Sequence, residues 1–337
     1  MLCMILVSCT GQKTGKENDN NDKIAIEVGE IKFPPQDVLQ LKSYYLSSSV
    51  HVDSIDYLIG YNYRLHSLDC MNLKSKSVTQ IVLPGDGPDA IVRLSGIYAQ
   101  SLDSVWISDE SERAFLIDSV GTIKRMIDLK KYLEDQEQLL INTNYAMFTS
   151  HLFYNASRHS LMFLVKHTPS NTFIVKEVFI DEVGKMATYQ LSSSKVVPDM
   201  SKGYAYINFP NVNFVGENIV YNYPVESSIY MLDIRTNERK YILADSHYTS
   251  NIIEKCTTSG DYATLEKHWL ENSHFYDIMY LPKYKIYARL HADKVDFDEK
   301  KGMEKLINER DLYLMLFDEN MEKIGETKLS NCRYSPF

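Results

Sequence analysis

No apolar run in this 337-residue chain is long enough to cross a bilayer as a helix, which takes about 20 residues. The N-terminal stretch Met1 to Ser8 is far shorter and turns polar after Cys9. Basic residues are also few for the length: 36 Lys and Arg against 45 Asp and Glu, a formal charge of −9. A surface built to neutralise phosphates is basic, so this balance excludes a nucleic-acid partner. There is no polybasic patch for a membrane surface either. Cysteine is sparse. Setting aside the N-terminal Cys3 and Cys9, only Cys70, Cys256 and Cys332 are left. Three thiols make no disulfide framework, and the absence of C-x-x-C removes zinc and dithiol redox chemistry.

The catalytic signatures are missing too. No H-E-x-x-H, G-x-S-x-G or P-loop occurs, which removes the readiest routes to a metalloprotease, an α/β-hydrolase or a nucleotide enzyme. Gly85-x-Gly87-x-x-Ala90 matches the dinucleotide fingerprint in form. That fingerprint needs a helix opening at its third position. Pro88 and the strand-like run after it deny that helix, so the glycines are expected to serve a turn. Asp86 and Asp89 lack the D-x-D-x-D-G spacing of a calcium loop and are expected to cap the same turn. No metal and no cofactor is implied.

What the chain has in quantity is aromatic residues: 24 Tyr, 13 Phe and 2 Trp. Tyrosine and phenylalanine favour pleated, half-buried surfaces. The stretch from Asp56 to Ile107 shows them in short apolar runs cut by turn residues: Asp56–Tyr63, Arg64–Asp69, Val78–Pro84 and Asp103–Ile107. Such runs are strands. Further groups follow over Ser104–Leu129, Ser160–Leu191, Asn218–Leu243 and Phe275–Leu329, a repeat spaced by tens of residues. Each group opens on a dense apolar run, read as an inner strand, and moves outward to more polar strands. Two helices are expected between groups: Leu129–Leu140, and Tyr262–Leu270 with Ser259 or Asp261 as its N-cap. The fold class is all-β. A β-propeller accounts for it best, with a pair of β-sandwiches as the competitor.

Leu6-Val7-Ser8-Cys9 resembles the bacterial lipobox, in which the cysteine is acylated and becomes the mature N-terminus. The basic n-region is missing, which points to a start upstream of Met1. Residues 10–23 carry no apolar side chain and are expected to be a solvated tether. The domains are then 1–9 signal end and lipobox, 10–23 tether, and 24–337 propeller. A lipid on Cys9 would be the only membrane contact. Thr10-Gly11-Gln12-Lys13 is not acidic, which favours a periplasm-facing anchor over the cell surface.

With the lipobox, the Gly85–Ile91 loop and the Asp277–Arg289 hairpin, the chain resembles the Bacteroidetes six-bladed β-propeller lipoproteins, a family of unknown function. The resemblance covers residues 9–330. It implies that Ile24–Phe33 closes the ring as an outer strand of a last blade. The chain stops at Phe337, where the inner strands of that blade should begin, so the sixth blade is expected to be incomplete.

Loops feeding the inner strands of a propeller line one mouth of its channel. Here they include His51, Asp53, Asp56, Asp86, Asp89, Asp103, His274, Phe275 and Tyr276. Arg64 and Arg289 flank inner strands and could offer guanidinium groups to an anion. The ligand-binding candidates are therefore Asp53, Arg64, Asp86, Asp89, His274, Tyr276 and Arg289, with no catalytic residue assigned. The function expected is a lipid-anchored envelope module binding a glycan, a peptide or an envelope protein. The alternative is a hydrolase or lyase acting on polysaccharide through carboxylates at that mouth.

Overall fold

The computed structural model describes residues 2–8, 25–34, 44, 46–140, 152–196, 209–256 and 261–329. Cys9, the tether at 10–23, Cys332 and the C-terminus at 331–337 lie outside the described residues. Strands β1 (Leu2–Ser8) and β2 (Ala25–Ile31) form an antiparallel pair; β2 is the strand expected over Ile24–Phe33. Five antiparallel sheets follow, each made of strands consecutive in the chain. The first holds β3 (Ser47–Val52), β4 (Ile55–Asn62), β5 (Ser67–Asn72) and β6 (Val78–Val82). The second holds β7 (Leu94–Ser101), β8 (Ser104–Asp109), β9 (Arg113–Ile117) and β10 (Ile123–Asp128). In the third, β11 (Glu137–Leu139) and β12 (Phe153–Asn155) share one edge of β13 (Ser160–His167), which continues to β14 (Thr172–Phe179) and β15 (Met186–Gln190). The fourth holds β16 (Asn211–Val215), β17 (Asn218–Asn222), β18 (Ile229–Asp233) and β19 (Arg239–Ile242). Helix α1 (Tyr262–Leu270) precedes the fifth sheet, β20 (His274–Leu281), β21 (Ile286–Ala292), β22 (Leu312–Phe317) and β23 (Lys323–Lys328), with α2 (Met303–Glu309) between β21 and β22. This is an all-β propeller whose described residues form five blades.

The first strands of neighbouring blades meet at the axis. Ala99 N on β7 donates to Ser48 Oγ on β3 at 3.1 Å. Asn213 Nδ2 on β16 donates to the Ile278 carbonyl on β20 at 2.9 Å. Phe153 stacks on Phe214 at 4.6 Å and meets Tyr98 edge-on at 4.8 Å. The dense apolar runs at Ile55–Asn62, Ser104–Asp109 and Ser160–His167 are therefore second strands, not the innermost ones expected. The reason is in the packing: both faces of a second strand touch a neighbouring blade. On β8, Val105 and Ile107 join the core shared with the first blade, while Trp106 joins the core shared with the third. On β13, Leu161, Phe163 and Val165 turn to the second blade, and Met162 and Leu164 to the fourth. The core is thus a series of apolar layers between blades. At about 25 cal/mol per Å² of apolar surface buried, those layers supply most of the driving force.

One helix forms as expected and one does not. Asp261 caps α1, its Oδ1 accepting from Ala263 N at 3.3 Å. Leu129–Leu140 breaks into a short 3-10 turn at Leu129–Tyr132 and then β11. Pairing of Leu139 with Val165 on β13 and burial of Leu139 outweigh helix propensity there.

Candidate functional site

Each first strand starts at one end of the propeller, here called upper, and the turns between second and third strands lie at the same end. Turns between first and second strands lie at the lower end. This divides the expected binding residues. Asp53, with φ +48°, sits in the β3–β4 turn at the lower end, and His51 and Asp56 pair across that turn. Asp103 is in the corresponding β7–β8 turn, accepting a hydrogen bond from Ser119 N at 3.2 Å. Arg64, Asp86, Asp89, His274 and Tyr276 belong to the upper end. The expected single mouth is therefore split between two ends, because antiparallel pairing reverses direction at every turn.

The Gly85–Asp89 loop is exposed but firmly anchored. Leu83 N donates to the His66 carbonyl at 3.0 Å and Ile91 N to the Pro84 carbonyl at 2.8 Å. Gly87, at φ +89°, supplies the left-handed residue of the turn, whereas Gly85 does not adopt one. Beneath the loop, buried Asp109 accepts from Val92 N at 3.3 Å and from Arg113 Nη2 at 2.7 Å. Arg113 Nη2 also donates to the Ala90 carbonyl at 2.7 Å. Asp109→Ala is expected to cost about 2–3 kcal/mol, leaving these donors unmet in the interior. Amide exchange over residues 85–93 should rise with it; unchanged exchange there would remove Asp109 as the anchor.

Next to this loop, the β4–β5 turn carries Arg64 and the exposed Tyr63. Asn62 Oδ1 accepts from the amides of Arg64 and Leu65, both at 3.2 Å. Its Nδ2 donates to Asp69 Oδ2 at 3.0 Å, and Asp69 also accepts from Tyr44 Oη and Gln80 Nε2, both at 2.6 Å. A fully buried carboxylate is tolerated because its oxygens are met by donors.

Two other expected binders turn inward. His274 is 1% exposed and accepts at Nδ1 from Trp269 Nε1 at 3.3 Å. Burial pulls its pKa down to about 3, so it is neutral. Arg289 is 0% exposed. Its guanidinium donates to the Ser227 carbonyl at 2.5 Å and the Ala244 carbonyl at 3.0 Å, and lies 4.9 Å from the Phe275 ring centroid. Burial pulls it down to about 9, partly offset by the Glu326, Asp245 and Glu226 carboxylates. It joins the fourth and fifth blades and offers nothing to a ligand. Tyr276 is half-buried, 4.6 Å from the His274 ring.

The same blades hold a group that sequence reasoning passed over. The connection after β19 is tied to the fifth blade through Glu326. Ser246 Oγ donates to Glu326 Oε1 at 2.6 Å, His247 N to Oε2 at 3.0 Å and Lys323 Nζ to Oε2 at 2.7 Å. His291 Nε2 stands 2.8 Å from Glu326 Oε1. These donors outweigh burial and hold the carboxyl at about 2. Ser246 Oγ in turn accepts from the amides of Tyr248 and Thr249, each at 3.0 Å. The signal was a lone aromatic in the polar run Asp245-Ser-His-Tyr-Thr-Ser-Asn251. Among the described residues no His, Cys, Asp and Glu cluster could hold a metal ion, and no helix is long and apolar enough to cross a membrane. Cys70 is a buried free thiol.

The upper end thus presents exposed side chains on loops fixed from below by buried, satisfied polar groups, an arrangement suited to binding without reorganisation. None of the curated proteins matches the sequence. Among solved structures, the chain is similar to a member of the DUF4221 family from Bacteroides vulgatus: TM-score 0.68, 14% identity, 88% of this chain and 84% of that one covered. A weaker likeness, TM-score 0.44 at 11% identity over 88% of this chain and 69% of the other, is to hydrazine synthase of Kuenenia stuttgartiensis. At 14% identity, the first of these speaks for the fold alone. The model of the family described as "Domain of unknown function (DUF4221)" matches residues 17–328, and the chain belongs to that family.

Proposed function

We propose that this protein is a ligand-binding or protein-interaction module of the cell envelope, anchored by a lipid on Cys9 and facing the periplasm. Its partner is a glycan, a peptide or an envelope protein, met at the upper end. The observation that carries the reading is the preorganisation there: Asp109, Asp69 and Glu326 spend their acceptor capacity on holding loops. A polysaccharide hydrolase or lyase would need an open pair of carboxyls about 5 to 10 Å apart. Glu226 has a pKa pushed up by burial, as a general acid would, but it is 0% exposed. The ring is proposed to be six-bladed, with β2 in the last blade. In support, Ala288, Leu312, Leu314 and Leu316 make a further apolar layer on the side of the fifth blade away from the fourth.

The test is a glycan and peptide array probed with the protein, followed by mass spectrometry of the captured compound after long incubation. Capture without conversion is expected; a cleaved product would overturn the binding reading. Metabolic labelling with a fatty acid, lost in Cys9→Ala, is expected for the anchor. Labelling retained in the variant would contradict it.

A further inference from the structure

The connection between the fourth and fifth blades ends in a ring stack that runs from the interior to solvent. Phe275 and His291, both 0% exposed, lie 5.4 Å apart with planes 22° from parallel. His291 stacks on Tyr313 at 5.1 Å and 15°, and Tyr313 on Tyr248 at 4.9 Å and 19°. Tyr313 is 6% exposed, whereas Tyr248 is 47% exposed. A ring covered on one face and half exposed shows its other face to water. Tyr63 and Tyr284 are about as exposed, at 49% and 42%; Tyr248 lies flat on the buried Tyr313 ring at a loop tip.

It is also immobilised. The amides of Tyr248 and Thr249 are both taken by Ser246 Oγ. Ser246 N donates to Asn251 Oδ1 at 2.6 Å, and Asn251 Nδ2 donates to the Ser246 carbonyl at 3.2 Å. Thr249 Oγ1 lies 3.1 Å from His291 Nδ1. A flat apolar surface held this way loses little entropy on binding. Polar groups share its face of the fifth blade. Tyr313 is paired in register with His291 on one side and Lys328 on the other. Asp311 and Asp293 stand two positions from Tyr313 and His291, on the same side of the sheet, and Asp293 N donates to the Asp311 carbonyl at 2.9 Å. Asp311 Oδ2 and Lys328 Nζ are 2.5 Å apart, with both side chains about half exposed (47% and 48%).

We propose that the open face of Tyr248 is a subsite for a sugar ring, stacked on the tyrosine and hydrogen-bonded at its edge by Asp311, Asp293 and Lys328. The C–H face of a pyranose suits the negative face of an aromatic ring. Carboxylates accept short, strong hydrogen bonds from hydroxyls. With a formal charge of −9 and two carboxylates at the rim, the sugar is one without an acidic group. This rests on the binding reading above and names its ligand class.

The probes are neutral β-linked tetrasaccharides of glucose, mannose and N-acetylglucosamine, titrated calorimetrically into the full chain, with a proline-rich peptide in parallel. At least one tetrasaccharide is expected to bind. Tyr248→Ala should weaken it about tenfold or more, the loss of one good stacking contact. Tyr248→Phe should stay within about twofold, because the ring and not the hydroxyl is used. Asp311→Asn should weaken binding with an unchanged melting temperature, separating a ligand contact from a structural one. Equal binding by wild type and Tyr248→Ala would overturn the subsite, leaving the module reading intact. Binding of the peptide alone would overturn the sugar and keep the module. No binding by any probe would overturn the sugar subsite, and the array decides the module separately.

Discussion

Arg289→Ala is expected to lower the unfolding free energy by about 3–5 kcal/mol, the range for breaking a buried charged group out of its partners. The guanidinium fills the space between Phe275 and Phe317, 4.9 and 5.8 Å from their centroids. Its removal leaves the Ser227 and Ala244 carbonyls without donors, each a desolvation cost of about 1–3 kcal/mol. Glu226 and Glu326 also lose a buried cation acting on them. Arg289→Met restores much of the volume but no donor, so it should recover only part of the loss. Urea unfolding at pH 7 measures both variants. A change under about 1 kcal/mol for Arg289→Ala would mean that the two blades are held together by their apolar layer alone.

Acid should loosen the same region in two stages. His274 is held neutral by burial, its pKa lowered from 6.5 to about 3, and burial lowers His291 from 6.5 as well. In both cases the unfolded chain binds the proton more readily, so stability is full above pH 6.5 and declines as pH falls below it. Glu326 is lowered from 4.5 to about 2 by His291, Lys323, Ser246 and His247 acting against burial. Its contribution is present above pH 4.5 and is lost as pH falls toward 2. Stability measured from pH 7 to 3 should therefore fall throughout, and more steeply below 4.5. Glu326→Gln should flatten that lower limb and raise amide exchange at His247 and Thr249 already at pH 7. An unchanged lower limb in the variant would remove Glu326 as the latch on the Tyr248 loop.

The fold was legible where burial is continuous. The runs Ser104–Asp109 and Ser160–His167 announce themselves because every residue must be apolar or satisfied when both faces of a strand meet a neighbour. What could not be read was which of two adjacent strands is nearest the axis. Ser47–Val52 alternates exposed and buried positions weakly, because the innermost strand meets other first strands and polar groups such as Ser48 rather than a continuous apolar layer. The candidate site was half legible. Gly85–Asp89 and Arg64 are turn residues and stand where turn chemistry puts them. Arg289 and His274 were misplaced because a strand residue's direction depends on register, and a shift of one position exchanges interior for exterior. Tyr248 was passed over because its role comes from Tyr313, His291 and Glu326, which are 43 to 78 positions away in the chain.

The most direct test of a recognition surface at the upper end is hydrogen–deuterium exchange on the full chain, with and without the compound captured from the array. Protection is predicted in residues 83–93 and 244–253, with the lower turns around Asp53 and Asp103 unchanged. Protection confined to those lower turns would contradict the account.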